Sequence, residues 1–321
     1  MRKLLIGLVA LVVLAAAALT GMIAFGTAAA PPYMVSISAP FAKVDFSDVP
    51  KAETLTARDG TSLSYRVWPA PGATTTVIAI HGSSANAASL HPLAKALQSE
   101  GITVYAPDIR GHGASGRRGD IDAMTSLDDD LADFTALVRA RQPQSKLVLL
   151  GFSSGGGFAL HAAATATGSS FERAVLIAPM LGVRAPTVRN TGNQWAAPFI
   201  PRIIALLALD RIGVRAFQGL PVLAFAVAPG NPANLTDRYS FRLMRAFATA
   251  DYVADLRDAK CSLAVVVGAK DELFDAAKFE PAIRAVRADV PVTVVPDLTH
   301  IEMTTDPRAV PALLAAVRGR P

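Results

Sequence analysis

Lys146-Leu-Val-Leu-Leu-Gly-Phe-Ser-Ser-Gly-Gly-Gly-Phe-Ala-Leu160 runs from an apolar stretch through Gly151-Phe-Ser-Ser-Gly155 into a helical pattern. Lys146 to Leu150 is the kind of short, uninterrupted apolar run that forms a strand buried on both faces. The Gly-x-Ser-x-Gly spacing fits a tight strand-to-helix turn with Ser153 at its apex in a strained conformation. Glycines on either side let strand and helix approach without colliding side chains. The helix that follows would aim its first amides at the same point, where an acyl-transfer reaction develops negative charge.

Outward from this turn the same rhythm repeats. Glu53 to Ala57 and Ser62 to Trp68 flank Arg58-Asp-Gly-Thr61 as a hairpin. Thr75 to Ile80, Ile102 to Ala106, Glu172 to Ala178, Ser262 to Val267 and Val292 to Val295 read as strands. Ala85 to Glu100, Leu127 to Arg141, the elbow helix to about Ala166, Ala276 to Ala288 and Pro307 to Arg318 read as helices. Strands alternating with helices predict an α/β fold with a mostly parallel central sheet covered on both faces. Ser153 then lies at the carboxyl end of a central strand, where open α/β sheets place their sites. The rhythm fails from 181 to 250, which is apolar, rich in proline and read as a helical cap inserted over the sheet. The α/β core is expected over 51–180 and 251–321.

Within 321 residues the 51% hydrophobic content is concentrated partly at the N-terminus. Leu4 to Phe25 is 22 residues without a charge, long enough as a helix for a hydrocarbon core of roughly 30 Å. A signal anchor over 1–30 is preferred to a cleaved signal peptide, because the run exceeds an ordinary signal h-region. Cleavage would make the protein secreted. Arg2 and Lys3 would stay in the cytoplasm, putting the remainder on the periplasmic or extracellular side. Residues 31–50, with four prolines and no clear period, read as a linker.

The net charge of +5 includes Arg2 and Lys3, and no basic cluster with interleaved aromatics supports nucleic-acid binding. The single cysteine, Cys261, excludes an intrachain disulfide and a Cys-based metal framework.

A serine hydroxyl needs a base, usually histidine, held by a carboxylate. Of His81, His91, His112, His161 and His300, only His300 lies downstream of both Ser153 and a candidate acid, as the order Ser, acid, His requires. Val265-Val-Val-Gly-Ala-Lys-Asp271 places Asp271 within the first turn after a buried strand. Asp275 and Glu272 are rivals, and Asp275 suits the start of the next helix. One oxyanion donor should be the Ser154 amide. The other should come from the loop after Ile80, with the Ser83 amide preferred and Ser84 as the alternative.

Taken together, His81-Gly82, Asp108-x-Arg-Gly-His-Gly113, Gly151-x-Ser-x-Gly155, Gly268-x-x-Asp271 and His300 resemble an α/β-hydrolase of the serine aminopeptidase S33 or monoacylglycerol lipase-like branch. The resemblance runs from about Glu53 to the C-terminus. It implies the hydrolase fold, a triad of Ser153, Asp271 and His300, no metal or organic cofactor, and a cap between the sixth and seventh strands. It also implies that Arg110 and His112 are structural.

The expected function is a membrane-anchored serine hydrolase cleaving carboxylic esters of lipid or acylglycerol type, with a small-molecule or lipid ester as its substrate partner and the membrane beside it. A peptidase or amidase acting on small apolar amino-acid derivatives is the alternative within enzymes, disfavoured because the cap holds only Asp210 and Asp237 as acids. A non-catalytic lipid-binding protein on the same fold is the alternative outside them.

Overall fold

A computed structural model describes residues 2–189, 195–231 and 233–319. Strands β1 (Glu53–Thr56), β2 (Ser62–Trp68), β3 (Thr75–Ile80), β4 (Thr103–Pro107), β5 (Lys146–Phe152) and β6 (Arg173–Ile177) come first. Three short strands follow, β7 (Ala196–Pro198), β8 (Pro221–Phe225) and β9 (Arg238–Ser240), and then β10 (Ser262–Gly268) and β11 (Val292–Val295). An eight-stranded sheet has the order β1-β2-β4-β3-β5-β6-β10-β11. Only β2 runs against its neighbours, and every other pairing outside the β1-β2-β4 edge is parallel.

Parallel strands covered by helices on both faces have no solvent side, so their sequences lack alternation. Every residue of β4 is buried, as is all of β3 after Thr75, all of β5 after Lys146 and all of β6 after Arg173. Helices His91–Ser99 and Val310–Arg318 pack together as one layer, while Ser126–Arg141, Ser154–Ala164 and Tyr252–Asp258 build the other. The order β4-β3-β5 reverses the direction of winding at β3. The loops after β3 and β5 therefore part at their carboxyl ends and leave a crevice.

Two expectations are corrected at the ends of helices. Residues 85–90 are not part of the helix, which begins at His91 with Pro92 in its first turn, after a 3-10 turn over Ala87–Leu90. Proline has no amide to donate and is suited to that first turn. The C-terminal helix likewise begins at Val310, after a 3-10 turn over Pro307–Ala309.

The helical reading of 181–250 also needs correction. Helices Ile200–Arg211 and Phe241–Ala246 are present, but β7, β8 and β9 form a separate antiparallel sheet in the order β7-β8-β9. Residues 190–194 and 232 of that segment lie outside the described residues. Short apolar runs such as Leu220 to Val227 do not distinguish buried strand from buried helix by period alone.

Helix Arg2–Ala24 has no buried residue and a mean hydropathy of 2.6 in its most apolar window, so it is long and apolar enough to cross a membrane. Its last turn packs on helix Ile200–Arg211. Arg202 from that helix donates to the carbonyls of Ile23 at 3.0 Å and Gly26 at 2.7 Å, which the end of a helix would otherwise leave unpaired. Ile200 and Ile204 remain about half exposed beside it.

The 31–50 stretch is not a free linker either. Val35–Ser38 is a helical turn and Ala39–Lys43 a 3-10 turn, and Met34 and Ile37 are buried in the main core. The spacing of Met34, Ile37 and Phe41 is a helical one, hidden from a periodicity reading by its brevity and by Pro40.

His161 ties the elbow helix to its layer, with Asp128 at 3.6 Å and Asp255 at 3.5 Å. The Asp128 and then the Asp255 carboxylates raise its pKa to about 10. A folded pKa above the unfolded one stabilises the protein fully below the unfolded value near 6.5 and is lost as pH rises through the folded value. His161→Gln is expected to cost about 1 kcal/mol at about pH 5.5, discounted for the partial exposure of the ring, and almost nothing at about pH 10.5. Urea unfolding of both proteins at the two pH values checks this. A deficit that does not change with pH would mean packing rather than charge.

Candidate active site

The elbow puts Ser153 at φ +57° and ψ −118°, a conformation that side-chain-bearing residues rarely adopt. The two flanking glycines are required by contact: a Cβ at Gly151 would lie 2.2 Å from the Gly155 carbonyl, and one at Gly155 would lie 2.3 Å from that of His81. Helix Ser154–Ala164 starts immediately after the serine. The Gly156 and Gly157 amides turn back to the Ser153 carbonyl, while the Ser154 amide meets no acceptor among the described residues.

His300 leaves the sheet on the loop after β11 and reaches Ser153 Oγ with Nε2 at 3.0 Å. Its Nδ1 is 2.7 Å from Asp271 Oδ2. An Nδ1–H donated to that carboxylate leaves Nε2 with a lone pair facing the hydroxyl. The second Asp271 oxygen accepts from the Leu273 and Phe274 amides, both at 2.8 Å. Asp271 and His300 are 1% and 2% exposed, so their ion–dipole contacts act with little water between them.

The three acids proposed for this position separate by geometry. Asp275 caps helix Ala276–Arg284 by accepting from the Ala277 amide, and Glu272 accepts from the backbone amide of His300 at 2.9 Å. Arg189 donates through Nε to the carbonyls of Asp271 and Phe274, both at 3.0 Å, and so pins the acid loop from the inserted segment.

The loop after β3 shows a similar division. The Ser84 amide donates to the Tyr239 hydroxyl at 2.6 Å and is thus occupied, whereas the Ser83 amide meets no acceptor among the described residues. Ser83 Oγ accepts from Trp195 Nε1 at 2.9 Å. His112 Nδ1 lies 3.2 Å from the Ile109 carbonyl and donates to it, leaving Nε2 to accept from the Tyr239 hydroxyl. Burial holds both His81 and His112 below the usual histidine range, and their ring centroids are 4.9 Å apart. Both are therefore neutral supports. Arg110 is buried on Asp130, Asp59 and Asp122 and so holds its own loop, after β4, against helix Ser126–Arg141 and the β1–β2 turn.

Ser153 and His300 open into an apolar cavity walled by Leu90, Phe152, Trp195, Leu235 and Leu273 and also by Ile37 and Phe41. Sequence reading misses Trp195, Tyr239 and Arg189, for a shared reason: each acts across the fold from a segment with no regular period. Burial pushes the Cys261 thiol up to about 11, which keeps it protonated and unreactive. Among the described residues no group of three His, Cys, Asp or Glu side chains has the arrangement of a metal site.

The sheet order, the strained serine after β5 and the histidine after β11 define an α/β-hydrolase. The chain belongs to the serine aminopeptidase S33 family, whose model matches residues 72–308. It is similar to the monoglyceride lipase of Rattus norvegicus, with 29% identity over 53% of this chain and 55% of that protein. It is also similar to the monoacylglycerol lipase of Mycolicibacterium smegmatis, 31% identical over 30% of this chain and 36% of that protein. The chain thus spans about half the length or less of these curated relatives. Among solved structures, a soluble variant of monoglyceride lipase from Saccharomyces cerevisiae superposes with a TM-score of 0.66 at 18% identity, covering 86% of this chain and 97% of that one.

Proposed function

We propose that this protein hydrolyses carboxylic esters with an apolar acyl chain, through an acyl-enzyme formed on Ser153. The observation that carries the reading is the hydrogen-bonded series Ser153 Oγ, His300 and Asp271 at 3.0 and 2.7 Å, set at the wall of an apolar cavity.

Ser153 Oγ attacks the ester carbonyl while its proton passes to His300 Nε2, and Asp271 stabilises the imidazolium that forms. The carbonyl oxygen gains the charge and is held by the Ser83 and Ser154 amides. Collapse of the tetrahedral species breaks the bond to the alkoxy oxygen, which leaves as alcohol with the proton from His300. Water then attacks the acyl-enzyme, loses its proton to His300 and releases the carboxylic acid and free Ser153.

A peptidase reading would need a carboxylate in the cavity to pair with a free amino terminus. No acid lines it among the described residues, and Asn190-Thr-Gly-Asn-Gln194, which lies outside them, contains none. Asp210 is engaged with Gln218 at 2.8 Å, and Asp237 lies beside Arg238 at 3.9 Å. The apolar wall favours acyl chains, and helix Arg2–Ala24 suits an anchor beside a lipid source, with the hydrolase body on the non-cytoplasmic side. In this reading the inserted segment is a lid over the cavity.

The test is turnover of p-nitrophenyl esters from acetyl to palmitoyl, with aminoacyl p-nitroanilides in parallel. Ester turnover rising beyond the acetyl ester is expected. Cleavage confined to the anilides would transfer the reading to a peptidase.

A further inference from the structure

We propose that Ile37 and Phe41, in the segment joining the N-terminal helix to the hydrolase body, determine which acyl chain the cavity accepts. The proposal rests on the ester reading above and deepens it.

Gly26–Pro50 is a strap fastened at both ends. At its start the Gly26 carbonyl accepts from Arg202, and Thr27 Oγ1 accepts from Arg238 at 3.1 Å, both arginines belonging to the inserted segment. Gly26 itself stands at φ +83°, and a Cβ there would lie 2.7 Å from the ring of Phe199, so the chain leaves the helix at this point only through glycine. At its finish the Asp48 carboxylate accepts from His91 Nε2 at 3.0 Å and pairs with Lys95. Arg66 donates to the Pro50 carbonyl. These last partners belong to the hydrolase body.

Between the two fastenings the chain crosses the cavity. The turns Val35–Ser38 and Ala39–Lys43 direct Ile37 and Phe41 onto the cavity wall with Leu90, Ile301 and Thr304 of the body. Ile37 is 7% exposed, whereas its neighbour Val35 is 61% exposed on the outer side. The strap lies wholly outside residues 72–308, so this wall is added to the part of the chain that the family model matches. A wall made of apolar side chains held from two sides limits how far an acyl chain extends from Ser153, since overlap with a fixed ring is not relieved by motion of the strap.

The experiment uses the full chain in detergent micelles and the ester series from butyryl to palmitoyl. Phe41→Ala is expected to raise the ratio of kcat/KM for long over short esters by about tenfold, the scale of one added methylene in a fitted pocket, and Phe41→Trp to lower it comparably. Ile37→Ala should move the ratio in the direction of Phe41→Ala, and Val35→Ala should leave the profile as it is. A uniform loss across all chain lengths would assign the strap a purely structural role and overturn the proposal. Phe41→Leu replaces the alanine variant if the latter does not fold.

A binding measurement separates this proposal from the ester reading. In the Ser153→Ala background, alkanoates from octanoate to palmitate are titrated against the fluorescence of Trp195, which lines the cavity while Trp68 is buried in the core. A longer preferred alkanoate after Phe41→Ala supports the strap even if no ester is turned over. Identical chain-length dependence with Phe41 and with Ala overturns it.

Discussion

Ser153→Ala is expected to lower kcat for a p-nitrophenyl ester by about a million-fold while substrate binding stays within a few-fold. In the proposed mechanism the hydroxyl oxygen is the atom that forms the acyl bond. Its loss removes the covalent route and leaves only whatever the two amides and the apolar wall contribute, which in triad enzymes is about a thousand-fold or more over water. Alanine fits because the strain at Ser153 belongs to the backbone, with φ +57° fixed by the packing of strand and helix, and a Cβ is already accommodated there. Turnover is read from p-nitrophenolate release, and binding from Trp195 fluorescence. Turnover that survives the substitution would place the nucleophile elsewhere. Binding that survives in a wild-type protein with no turnover would favour the lipid-binding alternative.

Asp271→Asn should reduce kcat by about ten-thousand-fold. The carboxylate accepts a hydrogen from His300 Nδ1 with one oxygen and from two backbone amides with the other. With those amides keeping the asparagine carbonyl oxygen, its NH2 group would face Nδ1. A donor in that place selects the imidazole tautomer with its hydrogen on Nε2, and the lone pair facing Ser153 disappears. Asp275→Asn is the matched control, because asparagine caps a helix as well as aspartate does and the Asp275 carboxylate caps helix Ala276–Arg284 and lies 3.9 Å from Arg189, with no contact to His300. A fall of less than about tenfold in Asp271→Asn would move the acid role to Glu272, which already holds the His300 amide.

Much of this arrangement is legible in the sequence because it is written in local patterns. Strands such as Thr75–Ile80 and Lys146–Phe152 are buried on both faces and so read as unbroken apolar runs, and glycines mark where backbone meets backbone. Chain order alone isolates His300. Assigning roles to Asp271, Glu272 and Asp275 needs geometry, since all three lie within five residues of one another and differ only in what each carboxylate faces. The β7-β8-β9 sheet and the strap are illegible for a different reason. Their residues face partners far away in sequence, Trp195 on Ser83, Arg202 on Gly26 and Phe41 on the cavity, and such pairings leave no period to read.

The contact between Tyr239 and the loop after β3 bears on how product leaves. Ser84 is bound to the inserted segment through its amide on Tyr239, its hydroxyl on the Thr236 carbonyl at 2.7 Å, and its own carbonyl on the Thr236 amide at 2.7 Å. Lifting β9 away would strand buried donors and acceptors at about 1–3 kcal/mol for each group left unpaired. It would also loosen Ser83, the neighbour whose amide is the proposed oxyanion donor. A door hinged there could not swing without dismantling the site behind it, so release and reactivity would compete on every turnover.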